Sequence, residues 1–444
     1  MNKLLLLKQY FLTKYGRRFT SREKLLAFHD KKMKKHIKFV LKHSTFYKKL
    51  YQDERYHHEW TSLPIITKSD MMDSFNELNT VGIKKEKAFQ LAFDAEETRD
   101  FSPRIGNVSI GLSSGTSGNR GLFLVSNREE AMWAGTVLAK MLPSSIFREH
   151  RVAFFLRANS NLYESTESGK ISFHYFDLLD SFPKHIERLN QLKPSIIIAP
   201  PSMLRMIATW KHKQIISISP EKIISVAEVL EDLDRTYIEH IFQQTLHQVY
   251  QATEGFLAAT CSFGVLHMNE DIIAVQKEYL NKEKGIFVPI ISDFTRKTQP
   301  IIRYRLNDIL IEKKTACPCG SHFLALERID GRCDDLFYGK KLLTNEEICL
   351  FPDFIRKSIM IASDQILEYK VMQREFNLIE IKLKVESDEE VVKELVLAEL
   401  QKLWKHEQLL IPQFHFTPYD IVTSDRKLKR IENMMKGKSN DSFI

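Results

Sequence analysis

The segment between Gly111 and Gly121 is dense in hydroxyl side chains and glycines. Such a segment can wrap phosphate oxygens, because hydroxyl groups donate hydrogen bonds and glycine leaves backbone N–H groups accessible. A polar turn would also use serine and glycine, but it would not need so many of them in one short stretch. The segment lacks the Gly-Lys-Ser/Thr ending of a Walker-type loop, so it predicts a different phosphate clamp. The candidate phosphate-binding residues are Ser113, Ser114, Gly115, Thr116, Ser117 and Gly118.

A second candidate is the hexapeptide 250–255, Tyr-Gln-Ala-Thr-Glu-Gly, which follows a strand-like run. The carboxylate of Glu254 could hold the magnesium ion that accompanies ATP, and the ring of Tyr250 could stack on adenine. By itself, the hexapeptide favours a structural turn.

Two later segments, 303–308 and 331–335, each combine arginine with aspartate. The carboxylate of Asp308 can accept both hydroxyls of a ribose, and the guanidinium of Arg332 can reach ribose or phosphate. A surface ion pair would explain either residue equally well.

Three cysteines and a histidine form two close pairs, Cys261 with His267 and Cys317 with Cys319. A Cys3His set suits tetrahedral zinc, although the spacing is not the usual two-residue knuckle. His322 is an alternative to His267 as the fourth ligand. The competing interpretation is a small buried Cys261 and a turn flanked by Cys317 and Cys319.

Alternating strand and helix patterns must position these residues. Apolar runs predict buried strands, and amphipathic patterns between them predict helices, which gives a layered α/β domain with a largely parallel core sheet. The strand runs are 152–156, 195–199, 223–226 and 249–250, and the helical runs are 183–192, 202–211 and 231–242. Segments 272–277, 286–292 and 301–311 predict an added antiparallel sheet or barrel, and a small α+β domain follows with a helix over 388–404.

The composition bounds the protein class. A chain of 444 residues predicts two domains, and its apolar content of 43% is ordinary for a globular protein. No apolar stretch is long enough for a membrane span, and no signal peptide is recognisable, so we expect a cytoplasmic protein. The net charge of +8 is concentrated in a lysine-rich helical segment at 31–42, which is typical of a solvated helix face. A zinc-bearing nucleic-acid-binding protein is disfavoured, because this segment lies far along the chain from the cysteines.

In this order, the four motifs resemble those of the adenylate-forming (AMP-binding) superfamily, and Lys427 lies in a segment similar to its last motif. Segments 265–271 and 289–305 are similar to the branch of phenylacetate–CoA ligases and coenzyme F390 synthetase-like proteins. The resemblance runs over 108–430 and is loose before that. It implies an adenylation domain at 1–332 and a mobile lid domain at 333–444. Within the first of these, the long-sided, charged residues of 1–80 predict helices.

The resemblance implies an acid–thiol ligase that uses ATP and Mg²⁺. Segment 113–118 would hold the β- and γ-phosphates, Tyr250 would face adenine, and Thr253 and Glu254 would serve the magnesium ion and the phosphate. Asp308 and Arg332 would bind ribose. The remaining implied roles are a hinge at Asp334 and catalysis by Lys427. Some relatives carry a similar Cys/His set, which favours structural zinc.

The substrate would be a carboxylic acid, first of all an aryl or arylacetic acid, and the acceptor would be CoA or the phosphopantetheine of an acyl carrier protein. Departures from the family pattern matter. Arg426 replaces a glycine, Lys429 competes with Lys427, and Asn119 stands where the family has a lysine. Segment 336–343 lacks the usual Gly-x-Asn-x-Phe-Pro-like stretch, which in the family helps to build the thioester-forming state. The alternative is a non-catalytic relative that binds a nucleotide or a partner. Neither a nucleic acid nor a membrane is expected as a partner.

Overall fold

A computed structural model describes residues 2–52, 59–98, 103–113, 120–156, 170–178, 180–386, 388–419 and 429–435, apart from the side chain at position 353. The chain divides into two compact units, which are Met1–Leu306 with Ile311–Arg328, and Asn307–Leu310 with Ile329–Ile444. The second unit therefore combines a short segment before residue 311 with the chain from Ile329 onward. In the described residues, no helix is long and apolar enough to cross a membrane.

The first unit begins with helices, as the charged, long-sided N-terminal sequence predicts. They are α1 (Lys3–Phe11), α2 (Arg22–His43), α3 (Thr45–Leu50), α4 (Lys68–Asp73), α5 (Phe75–Leu78) and α6 (Lys85–Thr98), with a π-helical turn at Leu12–Gly16 and a 3-10 turn at Trp60–Ser62. Side-chain caps fix several of the starts. Ser21 accepts a hydrogen bond from the Lys24 N–H at the start of α2, and Thr67 forms a capping box with Asp70 at the start of α4.

The core of the first unit alternates strands with helices. Its elements are β1 (Arg104–Ile105), β2 (Val108–Leu112), β3 (Leu122–Ser126), α7 (Asn127–Met141), β4 (His150–Leu156), β5 (Ile171–Asp177), α8 (Phe182–Leu192), β6 (Ile196–Ala199), α9 (Pro201–His212), β7 (Lys222–Ser225), α10 (Asp232–Phe242) and β8 (Leu246–Ala252). Strands β5, β4, β6, β7 and β8 pair in parallel in that order, and β1–β3 form a separate antiparallel sheet. The predicted α/β fold class is confirmed.

Antiparallel strands extend the same large sheet instead of forming a separate one. They are β9 (Gly255–Thr260), β10 (Leu266–Met268), β11 (Ile273–Asn281), β12 (Ile286–Asp293), β13 (Ile301–Arg305), β14 (Asp308–Glu312) and β15 (Ala325–Arg332). The sheet order is β11-β12-β14-β15-β10-β9-β8-β7-β6-β4-β5, with β13 also paired to β12.

The second unit is a small α+β structure around its own core. Its elements are a 3-10 turn (Cys333–Asp335), β16 (Phe337–Lys340), β17 (Glu347–Leu350), α11 (Pro352–Ala362), β18 (Ile366–Glu375), β19 (Leu378–Val385), α12 (Glu389–His406), β20 (Gln413–Pro418) and β21 (Ile431–Asn433). Helix α12 buries Val392, Val396, Leu400 and Trp404, a spacing that places one apolar face against the sheet β20-β19-β18-β21.

Buried ion pairs hold the N-terminal segment to the rest of the first unit. Glu270 receives two hydrogen bonds from the Arg22 guanidinium, one of them 2.8 Å between Nη2 and Oε1. The neighbouring Asp271 accepts one from Lys140 Nζ at 2.8 Å and pairs with Arg17 at 3.7 Å. Both carboxylates are almost fully buried, so these cations offset a large desolvation cost.

Candidate functional site

Ser113 lies at the described end of the serine-rich segment, after β2. Its N–H donates to the Gly121 carbonyl and its Oγ accepts from the Gly121 N–H, both at 2.7 Å, so the segment is closed at its base. Lys68 Nζ lies 3.4 Å from the same Oγ, and its Cε would approach within 3.0 Å of a Cβ at position 121. No sequence motif indicated Lys68, which adds a positive charge where phosphate is expected. The other candidates, 114–118, lie outside the described residues.

The turn after β8 carries Thr253 and Glu254. Thr253 Oγ1 donates to Glu254 Oε2 at 2.9 Å, and Tyr304 Oη donates to Glu254 Oε1 at 2.9 Å. Each carboxylate oxygen accepts one of these bonds and keeps a further lone pair, so the group can still coordinate a cation. Tyr304 is only 2% exposed, which fixes the orientation of the carboxylate. Tyr250, the adenine candidate, lies on β8 and is 7% exposed.

Arg296 binds the backbone of this turn, and no sequence motif indicated it as a site residue. Its guanidinium is buried and donates from Nη1 to the Thr253 carbonyl at 2.8 Å and from Nη2 to the Leu124 carbonyl at 3.1 Å. It therefore links the backbone of the Thr253–Glu254 turn to β3, the strand that follows the serine-rich segment. Asp293 Oδ2 lies 3.4 Å from the position that a Cβ would take at Gly255, next to the same turn, and burial raises the pKa of Asp293.

Glu129 in turn fixes the loop that carries Arg296. Its carboxylate accepts hydrogen bonds from Ser126 at the start of α7 and from the N–H and hydroxyl of Thr298. Burial alone would raise the pKa of Glu129, but the bonds from Thr298 and Ser126 hold it below its ordinary value. The group is therefore a charged anchor at neutral pH.

The ribose and hinge candidates belong to the second unit. Arg332 Nε lies 3.7 Å from Asp308 Oδ1, a loose ion pair between half-buried side chains. Asp334 Oδ2 accepts a hydrogen bond from Asn307 Nδ2 at 2.7 Å, which ties β14 to the turn after β15. The structure thus brings these candidates together on neighbouring strands.

Of the two candidate lysines, Lys429 lies within the described residues and Lys427 lies outside them. Lys429 Nζ forms an ion pair with Asp335 Oδ1 at 2.9 Å, and Asp335 is buried. Burial raises the pKa of Asp335, and Lys429 opposes that shift by favouring the charged form. Lys429 is thereby committed to a contact within the second unit.

The cysteine and histidine candidates converge on one point in the first unit. The ligand atoms of Cys261, His267, Cys317 and Cys319 all lie within 4.8 Å of one another. The Sγ atoms of Cys261 and Cys317 are 3.7 Å apart, and Cys319 Sγ is 3.5 Å from His267 Nε2. Zn–S bonds of about 2.3 Å place two sulfurs about 3.8 Å apart in a tetrahedron, so the set fits zinc.

Local turns and a backbone contact prepare this cluster. Gly264 and Gly320 adopt φ values of 74° and 72°, which let tight turns follow Cys261 and Cys317. His267 Nδ1 lies 3.3 Å from the Phe323 carbonyl, which favours a proton on Nδ1 and leaves Nε2 as the ligand atom.

Aromatic side chains on β5 and the turn after β7 are candidates for the wall of an acyl pocket. Phe176 on β5 is fully buried and stacks on Phe155 at a centroid distance of 4.4 Å, so it belongs to the core. Phe173 and Tyr175 are half-buried on the same strand. Ala227 follows the carboxyl end of β7 with φ 68°, an unusual conformation for a residue with a Cβ and one that is often found at functional sites.

Comparisons with known proteins bear on the fold. No model of a known protein family matches the chain. Protein CapK of Staphylococcus aureus is 22% identical over 211 residues, which make up 46% of this chain and 45% of CapK. The match thus spans less than half of that relative.

Solved structures are similar over more of the chain. A crystal structure of 2-hydroxyisobutyryl-CoA ligase in the postadenylation state, in complex with R3-HIB-AMP, aligns with a TM-score of 0.68 and 14% identity, over 92% of this chain and 90% of that one. The anthranilate CoA ligase AuaEII in complex with anthranoyl-AMP aligns with a TM-score of 0.51 and 11% identity, over 72% and 66%. The chain therefore has the fold of adenylate-forming CoA ligases, as its motifs predict. The branch of that superfamily stays a prediction.

Proposed function

We propose that the chain is an adenylate-forming ligase that activates a carboxylic acid with ATP and transfers the acyl group to a thiol. The observation that carries this proposal is the Thr253–Glu254 turn, whose carboxylate is oriented by Tyr304 and whose backbone is fixed by Arg296. A carboxylate held on a rigid support at the end of a sheet strand suits magnesium-dependent nucleotide chemistry.

In the first half-reaction, a carboxylate oxygen of the acid bonds to the α-phosphorus of ATP as the bond to pyrophosphate breaks. Glu254 would hold the magnesium ion, which neutralises phosphate charge when bound. Ser113, Lys68 and segment 114–118 would bind the β- and γ-phosphates, and Asp308 and Arg332 would bind ribose. Lys427 would stabilise the charge that develops on the reacting oxygens.

In the second half-reaction, the sulfur of the acceptor bonds to the acyl carbon as AMP leaves, and the thiol proton passes to solvent. We infer that the acceptor is CoA or a carrier-protein phosphopantetheine. AuaEII, described as an anthranilate ligase, supports an aryl acid as the first substrate class to test. Asp334 would act as the hinge between the two half-reactions.

Pyrophosphate release with hydroxylamine as acyl acceptor tests the proposal, over a panel of aryl, fatty and hydroxy acids. Release with one acid class, lost in Lys427→Ala and Glu254→Gln but kept in the surface variant Lys213→Gln, is expected. Equal release from wild type and both site variants would contradict it. Tight ATP binding without release for any acid would favour the non-catalytic alternative, which the altered residue Arg426 supports.

We also propose that Cys261, His267, Cys317 and Cys319 hold a structural zinc ion. Four protein ligands would leave no open position for a substrate, so the ion would brace the β9–β10 hairpin and the turn at 317–320. Metal analysis of the purified chain should find one zinc per chain. Cys317→Ser should lower that content, whereas Cys349→Ser, a change outside the cluster, should not.

A further inference from the structure

A polar hollow of about 760 Å³ lies at the amino ends of β4, β6 and β7 in the first unit. Its polar lining consists of Arg151, Lys193, Lys211, Gln214, Ser217 and Ser219. Because β4, β6, β7 and β8 run parallel, this edge of the sheet is opposite the edge where the Thr253–Glu254 turn follows β8. The hollow is therefore separate from the candidate nucleotide-binding residues of the same unit.

The lining of the hollow carries three cationic side chains and no carboxylate, and every lining residue is described. Two of the cations are held in place by neutral oxygens. Arg151 donates from Nε to the Leu192 carbonyl and from Nη2 to the Lys193 carbonyl, both at 3.0 Å, and Lys211 Nζ donates to the Ile218 carbonyl at 3.0 Å. These carbonyl oxygens, two of which lie at the C-terminal end of α8, carry no formal charge, so each of these groups keeps a net positive charge.

We propose that this hollow binds a small phosphorylated molecule. Ordered cations that no carboxylate neutralises favour an anion, and the serine hydroxyls and the Gln214 amide add donors of the kind that phosphate oxygens accept. The volume lies in the range of small-molecule sites and exceeds that of a lone phosphate, so a phosphate ester or a diphosphate fits. This inference does not depend on the proposed ligase activity.

Isothermal titration of the full chain with inorganic pyrophosphate and with ribose 5-phosphate tests the proposal. A saturating non-hydrolysable ATP analogue with magnesium keeps the nucleotide site filled. We expect saturable binding of at least one probe. Lys193→Gln and Lys211→Gln should each weaken it about fivefold or more, because one charge interaction at contact distance in water is worth about 1 kcal/mol. Lys193 is the safer variant, since its exposed side chain supports no fold contact named above.

The matched control is Lys213→Gln, which removes an exposed charge near Lys211 but outside the lining. It should bind both probes like the wild type. The proposal is overturned if neither probe binds with the ATP analogue present, or if all three variants lose affinity equally, which would indicate a non-specific charge effect. Pyrophosphate release, measured separately, decides the ligase proposal whichever way the titration falls.

Discussion

Removal of a single hydroxyl group should test the role of the Glu254 carboxylate. Tyr304→Phe keeps the buried ring and deletes the 2.9 Å hydrogen bond to Glu254 Oε1. A hydrogen bond to a charged group contributes about 1.5–3 kcal/mol, and 1.4 kcal/mol corresponds to a factor of ten. If the bond orients Glu254 for magnesium, pyrophosphate release should fall about 10- to 150-fold. The magnesium concentration for half-maximal rate should also rise.

Tyr279→Phe is the matched control. Tyr279 also donates to a glutamate at 2.9 Å, Oε2 of Glu312, but on the exposed side of β11. The Tyr279→Phe variant should keep the wild-type rate of pyrophosphate release and the wild-type magnesium requirement. A purely structural role for Tyr304 would lower the melting temperature without moving the magnesium requirement. Wild-type rate and magnesium requirement in Tyr304→Phe would refute the assigned orientation of Glu254.

Three further predictions concern a buried histidine, a buried aspartate and the cysteine cluster. His36 is 3% exposed, has no hydrogen-bond partner among the described residues, and burial lowers its pKa to about 4. Because its folded-state pKa lies below the unfolded value, the stability it contributes is present above about pH 6.5 and lost as pH falls towards 4. Between pH 6.5 and 5 this loss is about 1.5 kcal/mol. The free energy of unfolding, measured with denaturant, should therefore fall less steeply over this pH range in His36→Leu than in the wild type. The exposed-site variant His406→Gln should show the wild-type pH dependence. Lys429→Ala should lower the free energy of unfolding by about 1–3 kcal/mol, because it removes the ion-pair partner of buried Asp335. Pyrophosphate release should be kept. Loss of release at unchanged stability would instead identify Lys429 as the catalytic lysine. A zinc chelator should lower the melting temperature of the wild type but not of Cys317→Ser, and equal melting curves with and without chelator would argue against a structural metal.

The candidate site segments could be picked out from the sequence because each one is contiguous. The strand runs and helical runs of the α/β core also have clear periodicities, and the predicted fold class is confirmed. The supporting residues were not readable. Tyr304 meets Glu254 across fifty residues of sequence, and Lys68 reaches Ser113 from an N-terminal helix. Such contacts depend on how distant elements pack, which local residue patterns do not encode.

Two details of the fold were also beyond the sequence. The antiparallel strands after β8 look like a separate sheet or barrel because no helix separates them, yet β9 pairs with β8 and continues the parallel sheet. From its type alone, Phe176 fits a pocket wall as well as a core, and only its stacking on Phe155 assigns it to the core. Hydrophobic side chains serve both purposes, so residue type alone does not separate them.

The buried acidic pair Glu270 and Asp271 sets a practical limit on shortened versions of this protein. The sequence before residue 45 is only loosely similar to the adenylate-forming superfamily, which would tempt an experimenter to remove it. Its deletion would remove Arg17 and Arg22 and leave Lys140 as the one remaining partner, of these three cations, for two buried carboxylates. It would also expose the surface of α7 against which α1 packs. A protein trimmed in this way should misfold during expression, so affinity tags belong outside these helices and not in place of them.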